Sequence, residues 1–171
     1  MPITEAYILN GAGVCEVLRE GILAALLGTA AWIDLKSRKI PNYIPAAGFL
    51  ARLLLWAAEV YLYGPGKAAA AFLRELGGSF AVLLLLMLAV RIRGRGLGMG
   101  DVKLAGSTAL FAGFRGTLGI LLWGLLAAAA AGVCMELAPD RKRKPEIPLA
   151  PFFLAGFLLE RILAKSFSGR P

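Results

Sequence analysis

The chain contains no histidine. That absence removes Ser-His and Cys-His nucleophilic catalysis and every His-ligated zinc site, the HExxH arrangement included. Cysteine is nearly absent as well: Cys15 precedes the first apolar run, and Cys134 lies near the end of the fifth. The topology developed below puts the two on opposite sides of a membrane, so no disulfide is expected between them. Polar sequence is scarce too. The longest polar stretch, "APDRKRKPE", is too short to fold alone, and there is no low-complexity tract or clear internal repeat. A single helical membrane domain over residues 1–171 is the expected organisation.

What the chain has in abundance is apolar side chains. They make up 58% of its 171 residues, and the mean hydropathy is +0.71. A soluble domain of this size could not hide that surface. The composition therefore reads as an all-α, polytopic membrane protein with six transmembrane helices. The spans are Gly21–Leu35, Tyr43–Tyr63, Leu76–Ile92, Val102–Phe114, Thr117–Leu137 and Pro148–Leu163, most of them near the ~20 residues needed to cross a bilayer. The Val102 run is short, roughly 20 Å as a helix at ~1.5 Å per residue. One of its ends should lie below the interface or in a water-filled recess, and Asp101 stands at that end.

Basic residues outnumber acidic ones, 19 to 11, and they are not spread evenly. Lys36, Arg38 and Lys39 follow the first run; Arg91, Arg93, Arg95 and Lys103 surround the junction of the third and fourth; Arg141, Lys142, Arg143 and Lys144 follow the fifth. If these alternate loops face the cytosol, eleven of the nineteen basic residues lie inside, as the positive-inside rule requires. Both termini are then outside, and Asp34 and Asp101 share the inner face. The first run is not a cleavable signal, because Glu16, Arg19 and Glu20 precede it and the dense positive charge follows it. The basic loops read as topology determinants lying against anionic lipid, not as a nucleic-acid surface.

Charge inside or beside a span is costly, so each such residue is a candidate site. Arg52, Glu59, Arg74, Glu75, Glu136, Glu160 and Arg161 show that charge alone selects nothing here. Asp34 and Asp101 differ from these in their surroundings. Gly96, Gly98 and Gly100 strip side chains from the backbone leading into Asp101 and permit close approach of another chain. Asp101 opens a helix, where a carboxylate can cap free N–H groups; Asp34 lies near the closing end of one. Two carboxyls sharing one proton can hydrolyse an amide without metal or histidine. In that scheme Asp101 is expected to be the base and Asp34 the acid, with the pair titrating as a unit. Pro41 and Asn42 read as a helix start. Lys103 either holds Asp101 ionised or snorkels to the interface. A Ser-Lys pair, with Ser79 or Ser107 beside Lys103, is formally open but has no local signature.

"DLKSRKIPN" (Asp34 to Asn42) followed by "GLGMGDVKL" (Gly96 to Leu104) resembles the prepilin peptidase family, membrane aspartic proteases with a GxGD motif. The later "IPLAPF" (Ile147 to Phe152) resembles the start of that family's last helix, with Ala150 where glycine is usual. The resemblance covers about Ala31 to Phe157. It implies that Asp34 and Asp101 are the catalytic pair on the first and fourth helices of a six-helix core, with Gly98, Gly100, Lys103, Pro41 and Asn42 in supporting positions. It implies no metal and no cofactor. The implied substrate is a type IV pilin-like precursor whose basic leader is removed at the cytosolic face of the cytoplasmic membrane. The longer members' cytosolic insertion with paired cysteines is missing from this sequence, so it resembles the short form, and no S-adenosylmethionine-binding loop can be read in it.

Two other classes compete. A small transporter or ion pathway would use paired intramembrane acids, but near mid-bilayer on broken helices. A non-catalytic pilus-assembly subunit fits the hydrophobicity and explains neither motif. Partners are expected to be the precursor and membrane lipid; the sequence carries no sign of oligomeric state.

Overall fold

The computed structural model describes residues 3–93, 98–137 and 148–168. Among these, five helices and no strand are found: α1 (Ile3–Ser37), α2 (Tyr43–Tyr63), α3 (Pro65–Arg93), α4 (Met99–Leu137) and α5 (Ala150–Ser168). Gly96, Arg95, Ile147 and the basic residues Arg141 to Lys144, all used in the sequence argument, lie outside the described residues.

Local chemistry sets the boundaries. α1 closes where Arg38 turns left-handed (φ 52), an uncommon conformation for a residue with a Cβ. Its N–H still bonds Asp34 O at 2.8 Å, and Ser37 Oγ donates to the carbonyls of Ile33 and Lys39. Pro41 cannot continue the helix. α2 ends at Gly64 (φ 82), whose N–H bonds Val60 O and whose own carbonyl accepts from Ala68. One glycine thus closes α2 and opens α3, with Pro65 at the first helical position, where its missing N–H is harmless.

α4 takes up two of the apolar runs, because it is broken at Gly113 (φ 70, ψ 175). The contacts show that the chain reverses there. Along α1 and α5, Asp34 meets Ala150 while Glu20 meets Arg161, so these two run antiparallel. Arg19 reaches the carbonyl of Phe111, which puts the Gly113 end of α4 beside the Glu20 end of α1. Beyond the break, Gly119 packs on Glu160 and Gly124 on Phe152. The second half of α4 therefore runs back toward the Asp34 end. The fourth and fifth apolar runs are thus the two arms of α4, separated at Gly113; among the described residues the helices long and apolar enough to cross a membrane are Tyr43–Tyr63, Pro65–Ile92 and Met99–Met135. In α1 the apolar stretch is bracketed by Arg19, Glu20, Asp34 and Lys36, and α5 carries Glu160 and Arg161.

The core gathers Leu23, Leu27 and Ala30 of α1, Val82 of α3, Leu104 and Ala109 of α4, and Phe153 of α5. Leu84, Leu85, Leu88, Leu122, Leu125 and Leu126 stay exposed, as outward faces do when lipid replaces water as the solvent. Where α4 and α5 cross, a Cβ on Gly156 would lie 2.2 Å from Ile120 O. Only glycine permits that backbone approach.

Candidate active site

Two junctions, α1 to α2 and the start of α4, build the site. Asp34 sits in the last turn of α1 and is buried, 6% exposed. Asp101 is half-buried in the first turn of α4. Both carboxyls line one cavity of about 300 Å³ with Gly98, Gly100, Arg38, Lys39 and Ile40. No groups of three or more His, Cys, Asp or Glu side chains able to hold a metal form among the described residues; in the cavity the possible ligands are Asp34 and Asp101 alone.

Asp101 was expected to cap α4, and it does not. The carbonyl of Gly98 accepts the N–H groups of Asp101 and Val102, at 3.0 and 3.2 Å. That makes Gly98 the cap and Asp101 the third helical residue. The Asp101 carboxyl turns back toward the Gly98 backbone. A Cβ at Gly98 would stand 2.9 Å from Asp101 Oδ2.

Asp34 also sits at a helix start, one invisible in the sequence because it belongs to α5. The Ala150 N–H donates to Asp34 Oδ2 at 3.0 Å. Leu149 caps α5 through its carbonyl, which accepts from Phe152 and Phe153, leaving the Ala150 donor free for the carboxyl. Each acid thus lies on a helix N-terminus. The helix-end argument that made Asp101 the base and Asp34 the acid no longer separates them.

Gly100 admits a neighbour, but the neighbour belongs to this chain. A Cβ there would lie 3.0 Å from Ile40 Cβ and 3.1 Å from Ile40 O. The 38–42 loop therefore lies against the first turn of α4. Asn42 occupies the cap position of α2 with no side-chain cap bond. Its Oδ1 instead accepts from Lys103 Nζ at 2.9 Å. The hydrogen-bond partner of Lys103 is therefore Asn42. Pro41 precedes the helix, with its carbonyl taking the Ile44 N–H. Pro41, Asn42 and Lys103 are not among the residues lining the aspartate cavity. The serines are engaged as well: Ser79 Oγ donates to Gly106 O and Ser107 Oγ to Leu104 O. With Lys103 held by Asn42, neither serine forms a hydrogen-bonded pair with it among the described residues.

With this geometry in place, one comparison decides the family. A model of the type IV leader peptidase family matches residues 21–133. The chain belongs to that family. As a type IV leader peptidase family member it is a peptidase, and its apolar helices make it a membrane protein. No curated protein and no solved structure matches it. The family match contains both acids but stops short of α5, which brings Ala150 to Asp34.

The sequence reading also missed a buried charge network. Arg52 is fully buried and bonds Glu75 Oε2 at 2.9 Å, Glu59 Oε2 at 3.0 Å and the carbonyl of Leu110 at 3.1 Å. Arg19 pairs with Glu75 and donates to Phe111 O at 3.0 Å. Leu110 and Phe111 stand in the last turn before Gly113, where carbonyls have no helical N–H to accept. The two guanidinium groups supply it, as cations at a helix C-terminus do. The signal was in the sequence: Arg52 and Glu59 are seven residues apart on α2, two turns along one face.

Proposed function

We propose that Asp34 and Asp101 are the catalytic dyad of a membrane-embedded aspartic endopeptidase that removes the basic leader from type IV pilin-like precursors. The observation that carries this reading is the single cavity the two acids share at one end of the helices. In the proposed reaction one carboxylate takes a proton from water, whose oxygen attacks the scissile carbonyl carbon. The other, protonated, carboxyl donates to the carbonyl oxygen. Collapse of the tetrahedral intermediate breaks the C–N bond, and the leaving amine receives a proton from the dyad. No metal or cofactor enters these steps.

The rest of the proposal is topological. Counting the two arms of α4 separately gives six membrane-crossing segments in one domain, and the basic loops put the acids at the cytosolic face. A cysteine at Ser37 should then react with a membrane-impermeant thiol reagent only from the cytosol, and one at Lys67 only from outside. Reversed labelling would place the dyad on the wrong side for a leader peptidase.

Chemistry is tested with Asp34→Asn and Asp101→Asn in purified, reconstituted protein given a pilin precursor. An amide at 34 still offers an oxygen to the Ala150 N–H, so the fold is expected to persist. Each single variant should lose cleavage, and the double should be little worse than either, because the pair acts as a unit. A normal rate from one variant would remove that residue from the mechanism.

A further inference from the structure

A second recess, of about 560 Å³, opens at the far end of the helices from the dyad. The stretch of α1 from Glu16 to Asp34 measures about 27 Å at ~1.5 Å per residue, close to the ~30 Å hydrocarbon thickness of a bilayer. The recess therefore lies near the opposite membrane boundary. Its wall is charged, and most of that charge is already matched. Glu75 is held by Arg19 and Arg52, and Glu20 by Arg161 at 2.9 Å. Three lining groups form no ion pair among the described residues: Arg74, Arg115 and Glu16.

Two guanidinium groups and one carboxylate have a chemical complement. A guanidinium offers a planar fork of donors that matches phosphate, and a carboxylate accepts from a primary ammonium. Exposed apolar side chains flank both cations, Leu73 beside Arg74 and Phe114 beside Arg115. A ligand here would thus be polar in the recess and apolar along the outer helix faces. We propose that the recess binds the headgroup of a zwitterionic aminophospholipid, its phosphate on Arg74 and Arg115 and its amine on Glu16. Such a lipid would fill the wedge beside the Gly113 break, whose residues line the same recess. This reading does not depend on the dyad at the other end.

The test uses the full chain in nanodiscs made from an equimolar mixture of phosphatidylethanolamine and phosphatidylglycerol, with the retained lipid counted by native mass spectrometry after mild detergent extraction. The unsubstituted protein should keep phosphatidylethanolamine over phosphatidylglycerol by at least several-fold. Arg74→Gln/Arg115→Gln should lose both lipids. Glu16→Gln should keep a lipid but no longer prefer the amine-bearing one. Unchanged helix content by circular dichroism and a monodisperse elution profile serve as folding controls. Equal retention by the double arginine variant would overturn the proposal, as would a preference for phosphatidylglycerol in the unsubstituted protein. Inorganic phosphate is the remaining arm: phosphate binding that Arg74→Gln/Arg115→Gln abolishes, in unsubstituted protein that retains neither lipid, would show a site for the free ion and not for a lipid.

Discussion

Ala150 donates its backbone N–H to the Asp34 carboxylate at 3.0 Å, across 116 residues of sequence. Hydrogen bonds to charged groups are worth about 1.5–3 kcal/mol, and here the donor fixes one of the two acids from a helix outside the family match. Ala150→Pro deletes that N–H at a first helical position, where proline is otherwise well tolerated, and puts a ring carbon where the bond runs. Cleavage should fall by roughly ten- to a hundred-fold or more, on a scale of ~1.4 kcal/mol per factor of ten. Helix content by circular dichroism should be unchanged. Full activity would show that Asp34 needs no partner from α5.

Gly100 and Ile40 offer a test in which the two substitutions should compensate. Gly100→Ala brings a Cβ within 3.0 Å of Ile40 Cβ and 3.1 Å of its carbonyl oxygen, so the loop must move away from Asp101. Cleavage should slow by about an order of magnitude, on the general rule that misplacing a reacting group by ~1 Å can cost as much as 10²-fold. Ile40→Ala should recover part of the loss, because it removes the side chain in the way. Gly28→Ala, at a position with nothing within 4 Å of the new carbon, is the control and should be silent. No rescue by Ile40→Ala would mean that the loop is not what Gly100 accommodates.

The Lys103 to Asn42 bond is exposed, so its energy should be small, about 0.2–1 kcal/mol. Lys103→Met and Asn42→Ala should each lower kcat/KM less than about ten-fold, and the double variant should match either single one. A double-mutant cycle reads that coupling directly. Additive losses would show that the two side chains act separately, which returns Lys103 to the roles first considered for it.

The sequence made the nearness of the two acids legible because each ends or opens an apolar run beside a basic loop, and spacing and charge asymmetry need no tertiary information; the structure puts both on one cavity. The helices were legible for the same reason. The fourth and fifth runs were read as separate spans, and in the fold they are the two arms of α4, parted at Gly113, one residue inside the end drawn at Phe114. Ala150 was noted only as a departure from glycine. Its service is through a backbone N–H, which every residue but proline has, so no side-chain pattern could reveal it. Asn42 misled for a related reason: a good capping residue was available, but Lys103 of another helix claimed its oxygen. Tertiary partners of this kind override local propensity.

Arg52 carries the last prediction, on stability. Its side chain is fully buried, with its guanidinium carbon 5.5 Å from the Phe72 ring centroid. It faces two carboxylates and a carbonyl left over by the break in α4. Arg52→Met fills comparable volume but strands Glu59 without its cation and leaves Leu110 O without a donor. Breaking a buried pair by removing one partner costs about 3–5 kcal/mol. The variant should therefore unfold at a clearly lower temperature in detergent than the unsubstituted protein. Glu75 keeps Arg19, so most of the loss should trace to Glu59. Adding Glu59→Leu to Arg52→Met should then recover part of the stability, since it removes the stranded charge. If the double variant is no more stable than Arg52→Met, the cost lies in the unmet carbonyl before Gly113, and the arginine's main task is to hold the reversal of α4.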